Sequence, residues 1–223
     1  MAEKTRLTRD LMAARLAAEF QDGWIVNLGV GMPTMCSDYI QADRFVVLHS
    51  ENGVIGYGRI ATVEEATPYV VNAGLQPVML QPFASVVHHA DAFGVIRRGL
   101  LDVGVLGAYE AAANGDFANW KTAPGRKGGG IGGAMDIAVS AKRIFVMMEH
   151  TTRDGGPRLL LRCRLPITAA GVTKLVMTDL GLFAPAGDHF VARELATGFT
   201  LDEVQALTGA PLVAAPDLRE VQV

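Results

Sequence analysis

The chain is poor in features that mark several functional classes. It has two cysteines, Cys36 and Cys163, in 223 residues. That is too few for a secreted disulfide framework, and it suits a reducing compartment. There is no block of basic residues, and the formal net charge is −3. The electrostatic footprint of a nucleic-acid binder is therefore missing, though a local site for anionic substrates is not excluded. No apolar run approaches the ~20 residues of a membrane span. The opening Met1-Ala2-Glu3-Lys4-Thr5-Arg6 lacks the apolar core of a signal peptide, so a cytoplasmic location is expected. No G-x-x-x-x-G-K-[S/T] occurs, which removes an ATP-type phosphate loop. Charged residues make up only 19% against 50% hydrophobic, which implies a large buried core and excludes disorder. No internal repeat, linker or low-complexity segment interrupts the chain, and its length suits one α/β domain over residues 1–223.

The periodicities that are present alternate between helix and strand. Thr8 is placed as an N-cap for a helix to about Phe20, with Met12, Leu16 and Phe20 on one face and Gly23 as its stop. Residues 24–28 read as a strand running into Gly29-Val30-Gly31-Met32-Pro33, then a short helix to Ile40. Residues 45–48 read as a second buried strand. A strand–helix–strand order implies a parallel crossover that puts both strand ends on one edge of the sheet. Residues 53–74 suggest a folded loop or hairpin. Short strands are expected at 78–81 and 84–87, a helix at 90–98 stopped by Gly99, and strands at 101–106 and 144–148. A loop with glycines at 125, 128, 129, 130, 132 and 133 leads into a helix at 134–141. Beyond a polar turn at 151–157, short strands are expected at 159–161, 175–177, 182–184 and 189–191. Thr200 and Glu203 form a capping box for a last helix, and residues 216–223 are expected to be a mobile tail. The fold class expected is α/β, a mixed and largely parallel open sheet flanked by helices.

Chemistry concentrates at the ends of the first two strands. Asn52-Gly53 is a strong turn signal, so Glu51 stands where a buried strand ends and a tight turn begins. In open α/β sheets, ligands sit outside the carboxyl ends of strands. The plain alternative is a solvated acid on a hairpin. Gly29 and Gly31 allow close backbone approach, but Thr34 stands where a dinucleotide fingerprint needs glycine. The run from Gly128 to Gly133 spells G-x-G-x-x-G without a preceding strand, so its better use is a loop whose N–H groups receive negative charge. His88, His89, Asp91, Glu149 and His150 make a poor metal set, because neighbours on a strand point to opposite sides; no metal is expected. Ser50 lacks the G-x-S-x-G setting of a hydrolase nucleophile. Cys36, near a helix start, is either a thiol of lowered pKa or an inert buried one. What remains is one carboxylate and two glycine loops, a set suited to nucleophilic acyl transfer.

Five motifs then occur in a characteristic order: Asn27-Leu28-Gly29-Val30-Gly31-Met32-Pro33-Thr34, Ser50-Glu51-Asn52-Gly53, Gly115-Asp116-Phe117-Ala118-Asn119-Trp120, Gly132-Gly133-Ala134-Met135-Asp136 and Met148-Glu149-His150. Together they resemble the β subunit of family I 3-oxoacid CoA-transferases, from about residue 8 to residue 212. The resemblance implies that Glu51 is the nucleophile and that Gly29, Gly31, Asn52, Gly132 and Gly133 bind substrate, with an oxyanion N–H placed at Gly132. It implies ping-pong transfer through an acyl anhydride and a glutamyl-CoA thioester. Coenzyme A is then a substrate and covalent intermediate, with no permanent cofactor. It implies an α subunit as partner, in an α2β2 assembly, and succinyl-CoA as donor. The stretch from His88 to Phe93 and Asn119-Trp120 resemble the 3-oxoadipate branch more than the acetoacetate branch. Arg97-Arg98-Gly99 departs from the arginine-glycine-glycine of that branch, and either arginine is available to a second carboxylate. An acyl-CoA hydrolase on the same scaffold and a non-catalytic CoA-ester or organic-acid sensor are the alternatives. An intact Glu51 turn argues against the sensor.

Overall fold

The computed structural model describes residues 4–122 and 130–222. Its centre is five adjacent parallel strands, in the order β2 (Val47–His49), β1 (Ile25–Leu28), β5 (Val103–Gly107), β8 (Ile144–Met147) and β10 (Thr173–Thr178). β5 and β8 are apolar or glycine and buried on both faces, the composition that covered parallel strands require. Antiparallel β3 (Val54–Ile60) and β4 (Val78–Val86) extend the sheet past β2. On the other side follow antiparallel β11 (Gly181–Pro185) and β12 (Phe190–Leu195), then β13 (Leu212–Glu220), parallel to β12. The result is a ten-stranded mixed sheet, the expected class.

Alternate residues of the central strands feed two cores. Val105, Phe145 and Met147 face Met12 and Leu16 of α1 (Arg9–Ala17) and Cys36 of a 3-10 helix, Met32–Tyr39. Leu106, Ile144 and Val146 face Ile96 of α2 (His89–Arg97), Ile137 of α3 (Ala134–Ser140) and Val204 of α4 (Leu201–Gln205). A small sheet of β6 (Glu110–Ala112), β7 (Phe117–Ala118) and β9 (Leu159–Leu160) adds Phe117 and Leu159 to that second core.

The Thr8 cap, the Thr200–Glu203 capping box and the Gly99 stop (φ +71°) form as expected. Several boundaries differ. α1 ends at Ala17, and Gly23 serves instead the turn into β1, its N–H donating to Phe45 O. The segment after Gly53 begins as β3, so Glu51 lies on the loop of a β2–β3 hairpin. The two strands expected at 78–81 and 84–87 are one strand, β4, bulged around Pro82 where its register to β3 shifts. The tail expected to be mobile is strand to Glu220, and its register to β12 shifts across Pro216. A proline next to alanines reads as a terminus in sequence, yet a bulged edge strand accommodates it because its N–H is not needed there.

α1 is tied to the distal strands by a buried ion-pair network. Arg15 donates to Glu194 at 2.6 and 2.9 Å and to Glu19 at 2.7 Å, and Arg219 meets Glu194 at 2.7 Å. Removing one member of a buried pair strands the other charge, at a cost of about 3–5 kcal/mol, whereas replacing both by apolar groups costs far less. Arg15→Met is therefore expected to lower the urea unfolding free energy by about that amount, and Arg15→Met with Glu194→Leu to recover most of it. Equal losses in the single and double variants would show that packing alone joins α1 to β12.

Candidate active site

β1 has β2 on one side and β5 on the other, so chain order reverses across it. A crevice forms at such a reversal, at the carboxyl ends of the strands. The cavity there is about 1230 Å³, larger than the ~300–1,000 Å³ typical of small-molecule sites. Its lining includes Asn27, Gly29, Glu51, Gly107, Gly133 and Arg158. Gly29 stands tight against β5. Its N–H donates to Val105 O at 2.8 Å, and a Cβ there would lie 3.0 Å from that oxygen. Gly31, at φ +98°, has no atom within 4 Å of where its Cβ would be; its role is the backbone conformation that starts the 3-10 helix.

Glu51 is held from three directions. The Gly53 N–H donates to Ser50 O at 3.0 Å, closing the hairpin turn, and Gly53 adopts φ +111° with no room for a Cβ beside Val87 O. Only Gly53 in this turn has positive φ, so the turn uses the glycine bulge rather than two left-handed residues. Asn52 donates from its side chain to Val71 O at 2.8 Å, and Ser50 Oγ accepts from the Ala73 N–H at 2.9 Å. His89 Nδ1 lies 2.9 Å from Glu51 O. Asn52 thus fixes the loop through its side chain, a bond that supports positioning of Glu51.

Beneath the turn, the buried His49 bridges two elements. Its Nε2 meets Ala92 O at 3.1 Å and its Nδ1 meets Asn27 Nδ2 at 3.2 Å. Burial pushes its pKa down. A neutral ring donating from Nε2 and accepting at Nδ1 satisfies both contacts.

The carboxylate of Glu51 lies against Gly133. A Cβ on Gly133 would collide with Glu51 Oε2 and stand 3.1 Å from Phe93 Cζ. Gly132 also lines the cavity but has open space beside it. Burial raises the Glu51 pKa, His89 opposes the rise, and Asp136 adds to it. Glycines 125, 128 and 129 lie outside the described residues.

The remaining sequence candidates disperse. His88 caps α2 and His89 is its first residue, not neighbours on a strand as expected. Glu149 pairs with Arg9 at 3.1 Å. His150 is buried between Thr178 Oγ1 at 2.9 Å and Thr208 Oγ1 at 2.8 Å, and burial lowers its pKa to about 4. Burial lifts the Cys36 thiol to about 12, the inert alternative. Arg97 is paired with Asp136 at 2.8 Å and stacks over Phe93, and neither it nor Arg98 lines the cavity. Sequence reasoning missed Arg9, Arg153 and Arg158, which do line it; no motif marks a cation at the first turn of α1 or one that arrives from a turn after β8.

A half-buried carboxylate set in a glycine-walled crevice at a strand-order reversal is an arrangement suited to acyl-group transfer. The chain belongs to the coenzyme A transferase family, whose model matches residues 9–207, and its similarity runs to the β subunits of that family. It is 40% identical over 210 residues to the β subunit of the 3-oxoadipate CoA-transferase of Acinetobacter baylyi, covering 94% of this chain and 97% of that protein. It is 36% identical to human mitochondrial succinyl-CoA:3-ketoacid coenzyme A transferase 2, covering 99% of this chain and 43% of that longer one. The crystal structure of an acyl-CoA transferase from Escherichia coli O157:H7 superposes with a TM-score of 0.74 at 20% identity, over 100% of this chain and 44% of that chain. At that identity the likeness concerns the fold alone.

Two outcomes follow from the Glu51 geometry. A raised folded-state pKa means that the folded chain holds the Glu51 proton more tightly than the unfolded chain does. The associated stability is full below the unfolded carboxylate value and is lost as pH rises through the folded value. At pH 7 the ionised carboxylate therefore costs stability. Glu51→Gln should raise Tm at pH 7 and lose that advantage as pH falls into the acidic range, measured by calorimetry; no gain at pH 7 would mean the charge is fully compensated. Gly133→Ala must displace the carboxylate, and a misplacement of ~1 Å costs ~10²-fold in kcat. Gly132→Ala meets open space and should retain most activity. A reversed order of kcat between these two variants would contradict the contact described.

Proposed function

We propose that this chain is the nucleophile-bearing β subunit of a 3-oxoacid CoA-transferase, active with an α subunit in an α2β2 assembly. The observation that carries the reading is the placement of Glu51, whose half-buried carboxylate is fixed on the hairpin loop against Gly133 in the crevice.

In the reaction, a Glu51 oxygen attacks the thioester carbonyl, the C–S bond breaks, and CoA leaves as thiolate. The thiolate attacks the glutamyl carbonyl of the anhydride, releasing the first acid and leaving a glutamyl-CoA thioester. The acceptor carboxylate repeats the two steps in reverse and restores Glu51. Backbone N–H groups of the Gly132–Gly133 loop receive the developing oxyanion, and Gly29 and Gly31 let the acyl group approach the backbone. The raised Glu51 pKa fits a group that must be stripped of water to attack, and kcat/KM should fall as pH drops through it. Coenzyme A is a transient covalent partner. Succinyl-CoA as donor and 3-oxoadipate as acceptor, ahead of acetoacetate, are supported by the names of the relatives. No helix among the described residues is long and apolar enough to cross a membrane, and we place the enzyme in the cytoplasm, where Cys36 and Cys163 stay reduced.

The test is to trap the intermediate. The assembled enzyme incubated with acyl-CoA and no acceptor should accumulate the glutamyl thioester. Borohydride then reduces Glu51 to an alcohol, hydroxylamine converts it to a hydroxamate, and peptide mass mapping places either change on the Ser50-Glu51-Asn52 peptide. Glu51→Asp, which withdraws the oxygen by about one bond, should lose ~10²-fold in kcat. Turnover by wild-type enzyme with no acyl-CoA-dependent label on Glu51, together with an active Glu51→Gln, would replace this mechanism with direct attack by water.

A further inference from the structure

The crevice contains a cation whose charge has no partner among the described residues. Arg158 lines the cavity at the end of a tight turn after β8, in which Thr151 bridges Pro157 and Thr152 N–H donates to Gly156 O at 2.8 Å. Its main chain is held on both sides. The Arg158 N–H donates to His150 O at 3.0 Å, and Arg158 O accepts from the Ala111 N–H at 3.0 Å. The side chain is therefore delivered from a rigid base into the wall between β8 and the small sheet. Among the described residues its buried Nε has no hydrogen-bond partner and its guanidinium takes part in no ion pair, in contrast to Arg9, Arg15, Arg97 and Arg164.

The other charges on the wall do not supply a partner. Arg9 and Glu149 pair with one another. Arg153 is an exposed second cation of the same turn, with Asp154 beside it. Glu51 lies beyond β5 and β1 on the far side, three strand steps from β8, roughly 14 Å at ~4.8 Å per step. A buried charged donor left without an acceptor is unfavourable, and in native proteins such groups call for an explanation in function. A planar guanidinium also presents paired donors that match carboxylate and phosphate oxygens.

We propose that Arg158 is a substrate-binding residue that takes a distal oxyanion of the substrate, the end remote from the carbonyl that reacts at Glu51. The chemistry is a terminal carboxylate or phosphate oxygen accepting from the guanidinium. Two molecules carry such a group: a dicarboxylic acid or its ester at the second carboxylate, and coenzyme A at its phosphates. This deepens the transfer reading of the crevice and rests on it. It also moves the specificity-determining cation from the Arg97-Arg98 pair, where Arg97 is already bound to Asp136, to the turn after β8.

The experiment compares wild type, Arg158→Met, which keeps the apolar stem, and Arg158→Lys, which keeps the charge, each assembled with the α subunit. One ratio is kcat/KM for 3-oxoadipate over acetoacetate as acceptors. The other is kcat/KM for the CoA ester over the matching pantetheine ester as donors. Arg158→Met should lower one ratio about 10- to 100-fold, the loss typical of one charge-assisted hydrogen bond, and Arg158→Lys should recover part of it. A fall in the first ratio assigns the carboxylate, and a fall in the second assigns the phosphate. Calorimetric titration of succinate and of CoA should show the matching loss of affinity. Because it needs no turnover, it separates this proposal from the Glu51 mechanism, which stands or falls on the trapped adduct. Tm should be unchanged or higher in Arg158→Met. Unchanged ratios with unchanged affinities, or a uniform fall for every substrate with a lower Tm, would make Arg158 a packing residue and overturn the proposal.

Discussion

The close fit between the Glu51 carboxylate and the backbone at Gly133 is the constraint on which the site depends. It joins two parts of the chain that are distant in sequence, the β2–β3 hairpin and the loop entering α3. A Cβ at Gly133 would require the Glu51 carboxylate to move from its place. Each neighbouring feature serves that approach. Gly53 presses against Val87 O to set the hairpin, Asn52 and Ser50 pin its flanks, and Phe93 backs the glycine from α2. A carboxylate fixed on a hydrogen-bonded hairpin has little freedom left to lose when a ligand arrives, and such prior positioning is where enzymes gain much of their rate.

The arrangement has a thermodynamic cost. A carboxylate partly removed from water and beside Asp136, with His89 the one compensating charge among the described residues, is held in a state the unfolded chain does not need. The cost is borne by the rest of the molecule, above all by five buried parallel strands with an apolar core on each face. The neutral His49 contributes in another way. It lets the ends of β1 and β2 and the start of α2 meet in the interior without burying a charge. Reactive chemistry thus sits at the edge of a sheet whose own stability comes from elsewhere.

Much of this was legible in the sequence because the signals are local. Apolar runs at β1, β5 and β8 announce buried parallel strands, the caps at Thr8 and Thr200 are written within four residues, and Ser50-Glu51-Asn52-Gly53 specifies both the turn and the acid. The parts that escaped are those where meaning comes from a distant partner. Pro82 and Pro216 look like breaks until β3 and β12 are placed beside them. Gly132 and Gly133 are indistinguishable as letters, and only the position of Glu51 separates them. Arg97 and Arg158 are equally plain arginines in sequence, but Asp136 neutralises one while nothing among the described residues neutralises the other.

The prolines have a further consequence. A ten-stranded open sheet ends in two strands whose outer backbone groups have no partner within the sheet, and such edges are templates on which another chain can add a strand. Here both terminal strands, β4 and β13, carry a proline inside a bulge. The missing N–H and the local twist interrupt the ladder where a foreign strand would dock. Each end of the sheet is therefore a poorer template for strand addition than an uninterrupted ladder would be.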